Sequence, residues 1–143
     1  MFRPATVADA PTLAFHRYPE EVDAAERPPY AAWVAGALER GVYLGWLAEK
    51  GGKVVAGAGV TLLEWGPSRG DPQPWRGRVV NVWTDPDFRR RGLARELVTR
   101  CLAAARGRGV SRLSLGTTPQ ARALYGALGF QASGTEMTRV DPG

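Results

Sequence analysis

The segment that most narrows what this chain can become is residues 78–109. Arg78–Thr84 is a nearly continuous apolar run, the pattern of a strand covered on both faces. Asp85-Pro86-Asp87-Phe88 turns the chain, and Arg89-Arg90-Arg91-Gly92 is a short basic loop. A strongly amphipathic helix is expected next. Leu93, Ala94, Leu97, Val98, Cys101, Leu102 and Ala105 share one face, Arg95, Glu96, Arg100 and Arg106 face away, and Gly107 and Gly109 end it. A loop that feeds a helix start leaves free N–H groups and the positive end of the helix dipole in one place, which suits a phosphate-bearing ligand. Ser111–Leu115 reads as a strand, so the strand–helix–strand unit implies a right-handed crossover between parallel strands.

The rest of the chain supplies the other layers. Phe2–Ala5 reads as an edge strand, where Pro4 is tolerated. Thr6-x-x-Asp9 has capping-box spacing and opens a helix to about Tyr18. Pro19–Pro29 is a polar connection, followed by a helix from about Tyr30 to Arg40. Val42–Glu49 and Val54–Trp65 flank Lys50-Gly51-Gly52-Lys53 as a hairpin, and Gly66–Arg76 is a loop. Thr118-Pro119 caps a last helix carrying Ala121, Leu124, Tyr125 and Leu128, with Gly129 as its stop. Phe130–Val140 is expected to be a final hairpin or bent strand.

A length of 143 residues and 44% apolar content fit one domain over residues 1–143. No apolar stretch is long enough to span a membrane, and no secretory leader is recognisable, so a cytoplasmic location is expected. The single Cys101 lies on the apolar stripe of its helix and reads as a buried thiol. One Cys and one His, His16 on a predicted surface helix, give no basis for a metal site. Residues 1–75 hold seven basic and nine acidic side chains, whereas residues 76–143 hold twelve and five. The phosphate-site candidate therefore sits in the basic half. That half lacks the interleaved aromatic platform of a nucleic-acid binder, so nucleic acid is not expected as a partner.

The loop alone reads as either a diphosphate cradle or a solvated basic turn. It is neither a Walker loop nor a dinucleotide fingerprint, since Gly-Lys-Ser/Thr and the second and third glycines are missing. Its sequence, Arg89-Arg90-Arg91-Gly92-Leu93-Ala94, does match the R/Q-x-x-G-x-G/A pattern of the GNAT superfamily of N-acetyltransferases. Asn81-Val82-Trp83-Thr84-x-Pro86-x-Phe88 resembles that family's central strand and turn. Ala121-x-x-Leu124-Tyr125-x-x-Leu128-Gly129-Phe130 resembles its A-x-x-L-Y-x-x-L-G-F segment, and Arg3-Pro4-Ala5-Thr6-x-x-Asp9 its opening.

The resemblance implies an α/β (α+β) fold with a mixed, mostly antiparallel sheet, splayed between two central parallel strands, and helices on both faces. It implies acetyl-CoA as cosubstrate. The coenzyme's pantetheine arm would lie along the main chain of Val82, Trp83 and Thr84, and its diphosphate on the amides of Arg89, Arg90, Arg91, Gly92, Leu93 and Ala94. Tyr125 would protonate the departing thiolate, and strand amides would polarise the thioester carbonyl. Thr118 stands where many relatives have Asn, so it serves as helix cap first and cofactor contact second. The general base is left open between Glu64 and a water relay, with Asn81 able to orient substrate or water. The acidic run Glu20, Glu21, Asp23 and Glu26 reads either as a solvated loop or as a lure for a cationic amine, beside Tyr30, Trp33, Trp65 or Trp75. The implied reaction is acetyl transfer to a primary amine of a small molecule or peptide, in a ternary complex. The alternatives are a silent acyl-CoA sensor or a nucleic-acid-binding module. Dimers are common in the family, so a homodimer is compatible.

Overall fold

The chain is described by a computed structural model over residues 1–142. Residue 143, the last of the expected domain, lies outside the described residues. Five strands form one mixed sheet in chain order: β1 (Phe2–Pro4), β2 (Tyr43–Lys50), β3 (Lys53–Glu64), β4 (Trp75–Thr84) and β5 (Leu113–Ser114). All neighbours are antiparallel except β4 and β5, which are parallel. The parallel pair therefore stands at one edge of the sheet and not at its centre.

Helices α1 (Ala10–Arg17) and α2 (Arg27–Glu39) cover one face. There Leu13, Val34 and Ala37 close on Tyr43 and Leu47. Helices α3 (Leu93–Gly107) and α4 (Arg122–Ala127) cover the other, where Leu97, Val98, Cys101 and Ala105 meet Ala56, Ala58 and Val60. The heptad-like apolar stripe read from the sequence is the buried stripe of α3. Cys101 is fully buried, and burial pushes its thiol up to about 12, so it is an inert packing group.

The run Ala56-Gly57-Ala58-Gly59 shows how one strand serves both layers. Its alanines pack toward α3. Its glycines leave room on the other face, where a Cβ at Gly57 would lie 2.7 Å from His16 Nδ1 and one at Gly59 would overlap the Tyr43 hydroxyl. Two rings thus lie flat on main chain because two side chains are missing.

Several boundaries differ from expectation. Helix α2 begins at Arg27, three residues early, because Pro28 and Pro29 fit a first turn whose N–H groups need no partner. Strand β4 starts at Trp75, opposite Glu64. Strand β5 spans two residues where five were expected. The expected strand at Phe130–Val140 does not form: residues 131–142 carry no regular structure and are exposed, Met137 at 97% and Val140 at 93%. A two-residue edge strand offers too short a ladder for this largely polar segment to pair with.

Candidate functional site

The loop between β4 and α3 is held from below by its own neighbours. Asp85 accepts the Asp87 N–H at 2.9 Å, which opens a single 3₁₀ turn over Pro86–Phe88. The Arg89 Nε donates to the Thr84 carbonyl at 3.4 Å, and Arg91 donates to the Asp87 carbonyl at 3.3 Å while stacking on Phe88. Arg90 and Gly92 both take left-handed backbone, with φ of 63° and 75°. A Cβ at Gly92 would meet no protein atom within 4 Å, so the glycine answers to its dihedral and not to packing within the chain. The first intrahelical bond runs from the Glu96 N–H to the Gly92 carbonyl. The amides of Leu93, Ala94 and Arg95 therefore have no partner inside the helix and open onto the exposed loop. A double-acid group such as a diphosphate fits this end by charge and by donor count.

The second part of the site is a bulge. Register between β3 and β4 shifts between Gly57 and Gly59, and Asn81 opposite that shift has φ of 57°. The bulge resets which main-chain groups face which neighbour. Upstream, the Gly77 N–H donates across to β5, to the Arg112 carbonyl; downstream, the Asp85 N–H donates the other way, to Val55. Alternation back from Asp85 turns Val82 and Thr84 away from β3. Pairing between β4 and β5 ends at Arg78 and Ser114, so the groups of Val82 and Thr84 face an unpaired edge. Trp83 differs from these two: its main chain pairs with Gly57 and its indole stacks on His16, with ring centroids 4.5 Å apart.

The bulge also sets side chains. The Asn81 amide nitrogen donates to the Tyr30 hydroxyl at 2.8 Å and the Tyr43 hydroxyl at 2.9 Å, while its Oδ1 is buried without a protein partner. These hydroxyls come from α2 and β2, so the amide ties three elements together at one point. His16 is buried, not on a surface helix face, and its Nδ1 has no partner. Desolvation pushes this imidazole down to about 4, against a weaker opposing pull from Asp9, so it is neutral near pH 7.

A cleft of about 520 Å³ runs through the gap between β4 and β5; the bulge at Asn81 opens into it, and the 89–94 loop does not line it. Its walls include His16, Arg17, Asn81, Val82, Thr118 and Tyr125. Tyr125, on α4, is buried at the ring, packs edge-on to Phe130, and has no hydrogen-bond partner among the described residues. Burial raises its pKa, which keeps the phenol protonated. The Thr118 hydroxyl accepts the Ala121 N–H at 3.3 Å and so caps the turn leading into α4, its expected first role.

Other expected positions fall elsewhere. Glu64 pairs with Trp75, six residues upstream of Asn81 and so about 20 Å from it along the strand. It does not line the cleft. Trp75 shares that distant end, and Trp65 is exposed beneath Arg76. Of the expected aromatics Tyr30 reaches the site, and Trp33 packs behind it at 5.7 Å. The acidic run Glu21–Glu26 forms an exposed 3₁₀ segment whose Glu21 faces Arg27, and none of its carboxylates lines the cleft. The stack of His16 on Trp83 and the Tyr30–Asn81–Tyr43 bonds were not foreseen. The one available signal was a polar residue, Asn81, inside an apolar strand.

The family model described as the acetyltransferase (GNAT) family matches residues 8–130. A GCN5-related N-acetyltransferase from Ralstonia eutropha JMP134 is 31% identical, with a TM-score of 0.89 over 100% of this chain and 99% of that one. A predicted acetyltransferase from Clostridium acetobutylicum, solved with acetyl-CoA, is 20% identical with a TM-score of 0.87, over 98% and 95% of the two chains. Glucosamine-6-phosphate N-acetyltransferase from Arabidopsis thaliana is 15% identical with a TM-score of 0.73, over 98% of each chain. A search of curated protein sequences returns no match. The chain belongs to the GNAT acetyltransferase family, whose members take acetyl-CoA as acyl donor.

Proposed function

We propose that this GNAT protein transfers an acetyl group from acetyl-CoA to a primary amine by direct attack within a ternary complex. The observation that carries this reading is the bulge at Asn81. It turns the Val82 and Thr84 main chain to an open edge, and Val82 lines the same cleft as the unpartnered Tyr125. An extended amide-containing arm can add to that edge as a strand would. The amides at the start of α3 then bind the diphosphate through geometry, with Arg89 and Arg91 shaping the loop and Arg90 exposed at its rim.

Within the complex, a strand N–H turned outward by the bulge stabilises the oxygen of the attacked carbonyl as negative charge builds on it. Tyr125 supplies the proton that the coenzyme sulfur needs as the carbon–sulfur bond breaks. An ordinary phenol near 10 is a weaker acid than an ordinary thiol near 8.5, and burial raises Tyr125 further, so the proton moves only as negative charge builds on the sulfur. With Glu64 distant, the amine proton leaves through water along the cleft. No helix among the described residues is long and apolar enough to cross a membrane. A cytoplasmic setting suits the reduced, buried Cys101.

The test is thiol release from acetyl-CoA across a panel of amines. Tyr125→Phe is expected to lower kcat about a hundredfold or more, with acetyl-CoA affinity nearly unchanged by calorimetry. An unaltered kcat removes Tyr125 from the reaction. Coenzyme binding with no amine turned over identifies a sensor instead.

A further inference from the structure

The cleft has an asymmetric charge. Two arginines, Arg17 and Arg78, line it, and no carboxylate does. Neither forms an ion pair among the described residues. Arg17 ends α1, and its guanidinium lies 4.9 Å from the centre of the Tyr30 ring, whose hydroxyl bonds Asn81. Arg78 lies in β4 with its Nη1 donating to the Ser114 hydroxyl at 3.2 Å, a neutral partner. Alternation along β4 puts Arg78 on the same face as Val80, which packs in the α1 and α2 layer, so both cations approach from that side.

Arg78 is not placed to serve the diphosphate. That site lies beyond Thr84, and Arg78 is six residues upstream, about 20 Å along the strand. The two guanidinium groups thus share a cleft that holds no carboxylate and that the α3 loop does not line. We propose that the acceptor amine carries its own anionic group, a carboxylate or a phosphate, which Arg17 and Arg78 hold while the amine faces the thioester. This rests on the acetyl-transfer reading and names the acceptor class for the same cleft. The chemistry favours it over a polycation: a planar guanidinium offers paired donors that match a carboxylate or phosphate, whereas a second ammonium would meet two like charges and no acid. The stacking of Arg17 on Tyr30 fixes its plane in advance, so less freedom is lost on binding.

Matched pairs of acceptors test this in the thiol-release assay: glycine against glycinamide, and O-phosphoethanolamine against ethanolamine. The anionic member of at least one pair is expected to have a kcat/KM about tenfold higher or more, and the pair that shows it tells carboxylate from phosphate. Glycinamide has the more readily deprotonated amine, so a preference for glycine would run against intrinsic reactivity. In the Arg17→Gln, Arg78→Gln double variant the ratio is expected to fall toward one, through KM. Arg17→Gln alone, at an exposed helix end, is expected to lower the ratio in part, which keeps the test open if the double variant does not fold. Preference for the neutral member, or a preference untouched by either variant, overturns the inference and leaves acetyl transfer standing. Turnover of other amines in the panel, with none of these four used and no anionic amine favoured, overturns the inference alone; coenzyme binding with no amine of the whole panel turned over overturns both.

Discussion

The loop at residues 89–94, which follows β4, and the bulge at Asn81, which lies within it, are built in opposite ways. The loop offers main-chain amides at an exposed helix start, and its arginine side chains turn back to neighbouring carbonyls or to solvent. Everything it needs lies within about ten residues of sequence. The bulge gathers the Tyr43 and Tyr30 hydroxyls, from β2 and α2, on Asn81, with partners 38 and 51 positions away, and His16 of α1 stacks on Trp83 beside it. Local backbone makes the first region tolerant of side-chain change. Packing makes the second intolerant, since each ring there rests on main chain or on another ring.

The contrast predicts where substitutions will act. Gly59→Ala should have the largest effect: its Cβ would overlap the Tyr43 hydroxyl, which is held by Asn81 inside the core. A loss of about 3 kcal/mol, read by denaturant unfolding, is expected from such overpacking. Unchanged stability would mean the Tyr43 ring is free to move, and the bulge would then be less rigid than its packing implies.

Acid should act through His16. Its folded pKa of about 4 lies below the ordinary value of 6.5, so the unfolded chain takes up the proton first. Stability is full above pH 6.5 and falls as pH drops toward 4, by on the order of 2–3 kcal/mol. Melting curves of His16→Gln should be flatter over that window. Equal slopes would remove His16 as the cause.

In the loop, Gly92→Val forces a β-branched residue to φ near 75°. About 1–2 kcal/mol of strain, or a roughly tenfold weaker Kd for CoA, is expected by calorimetry. Arg90→Gly should do least. It relieves left-handed strain at φ of 63° and removes only an exposed side chain, so CoA affinity should stay within about threefold. A large loss there would show that charge, and not amide geometry, dominates the cradle.

The same contrast explains what could be read in advance. The amphipathic stripe of α3, the Gly51-Gly52 hairpin and the Thr118 cap follow from local propensity and spacing, and all three stand where expected. The expected strand over Phe130–Val140 failed because a strand needs a partner, and β5 provides only two residues of ladder. Glu64 was a plausible base while its distance from Asn81 was unknown; antiparallel register put it at the far end of β4. His16 reads from the sequence as lying on a surface helix, but α1 turns that position onto Trp83 and the space above Gly57.

The sequence by itself determined a strand, a loop and a helix start that present unpaired amides to an anion, together with the motifs that mark the family. It could do so because those features depend on neighbours in the chain. Tertiary structure decided which side chains share the cleft: Tyr30 and Tyr43 on Asn81, His16 on Trp83, and Arg17 and Arg78 without acids. The reason is one of range. Dihedral preference and helix polarity act over a few residues, whereas burial, ring packing and charge pairing are fixed only when remote segments close on one sheet.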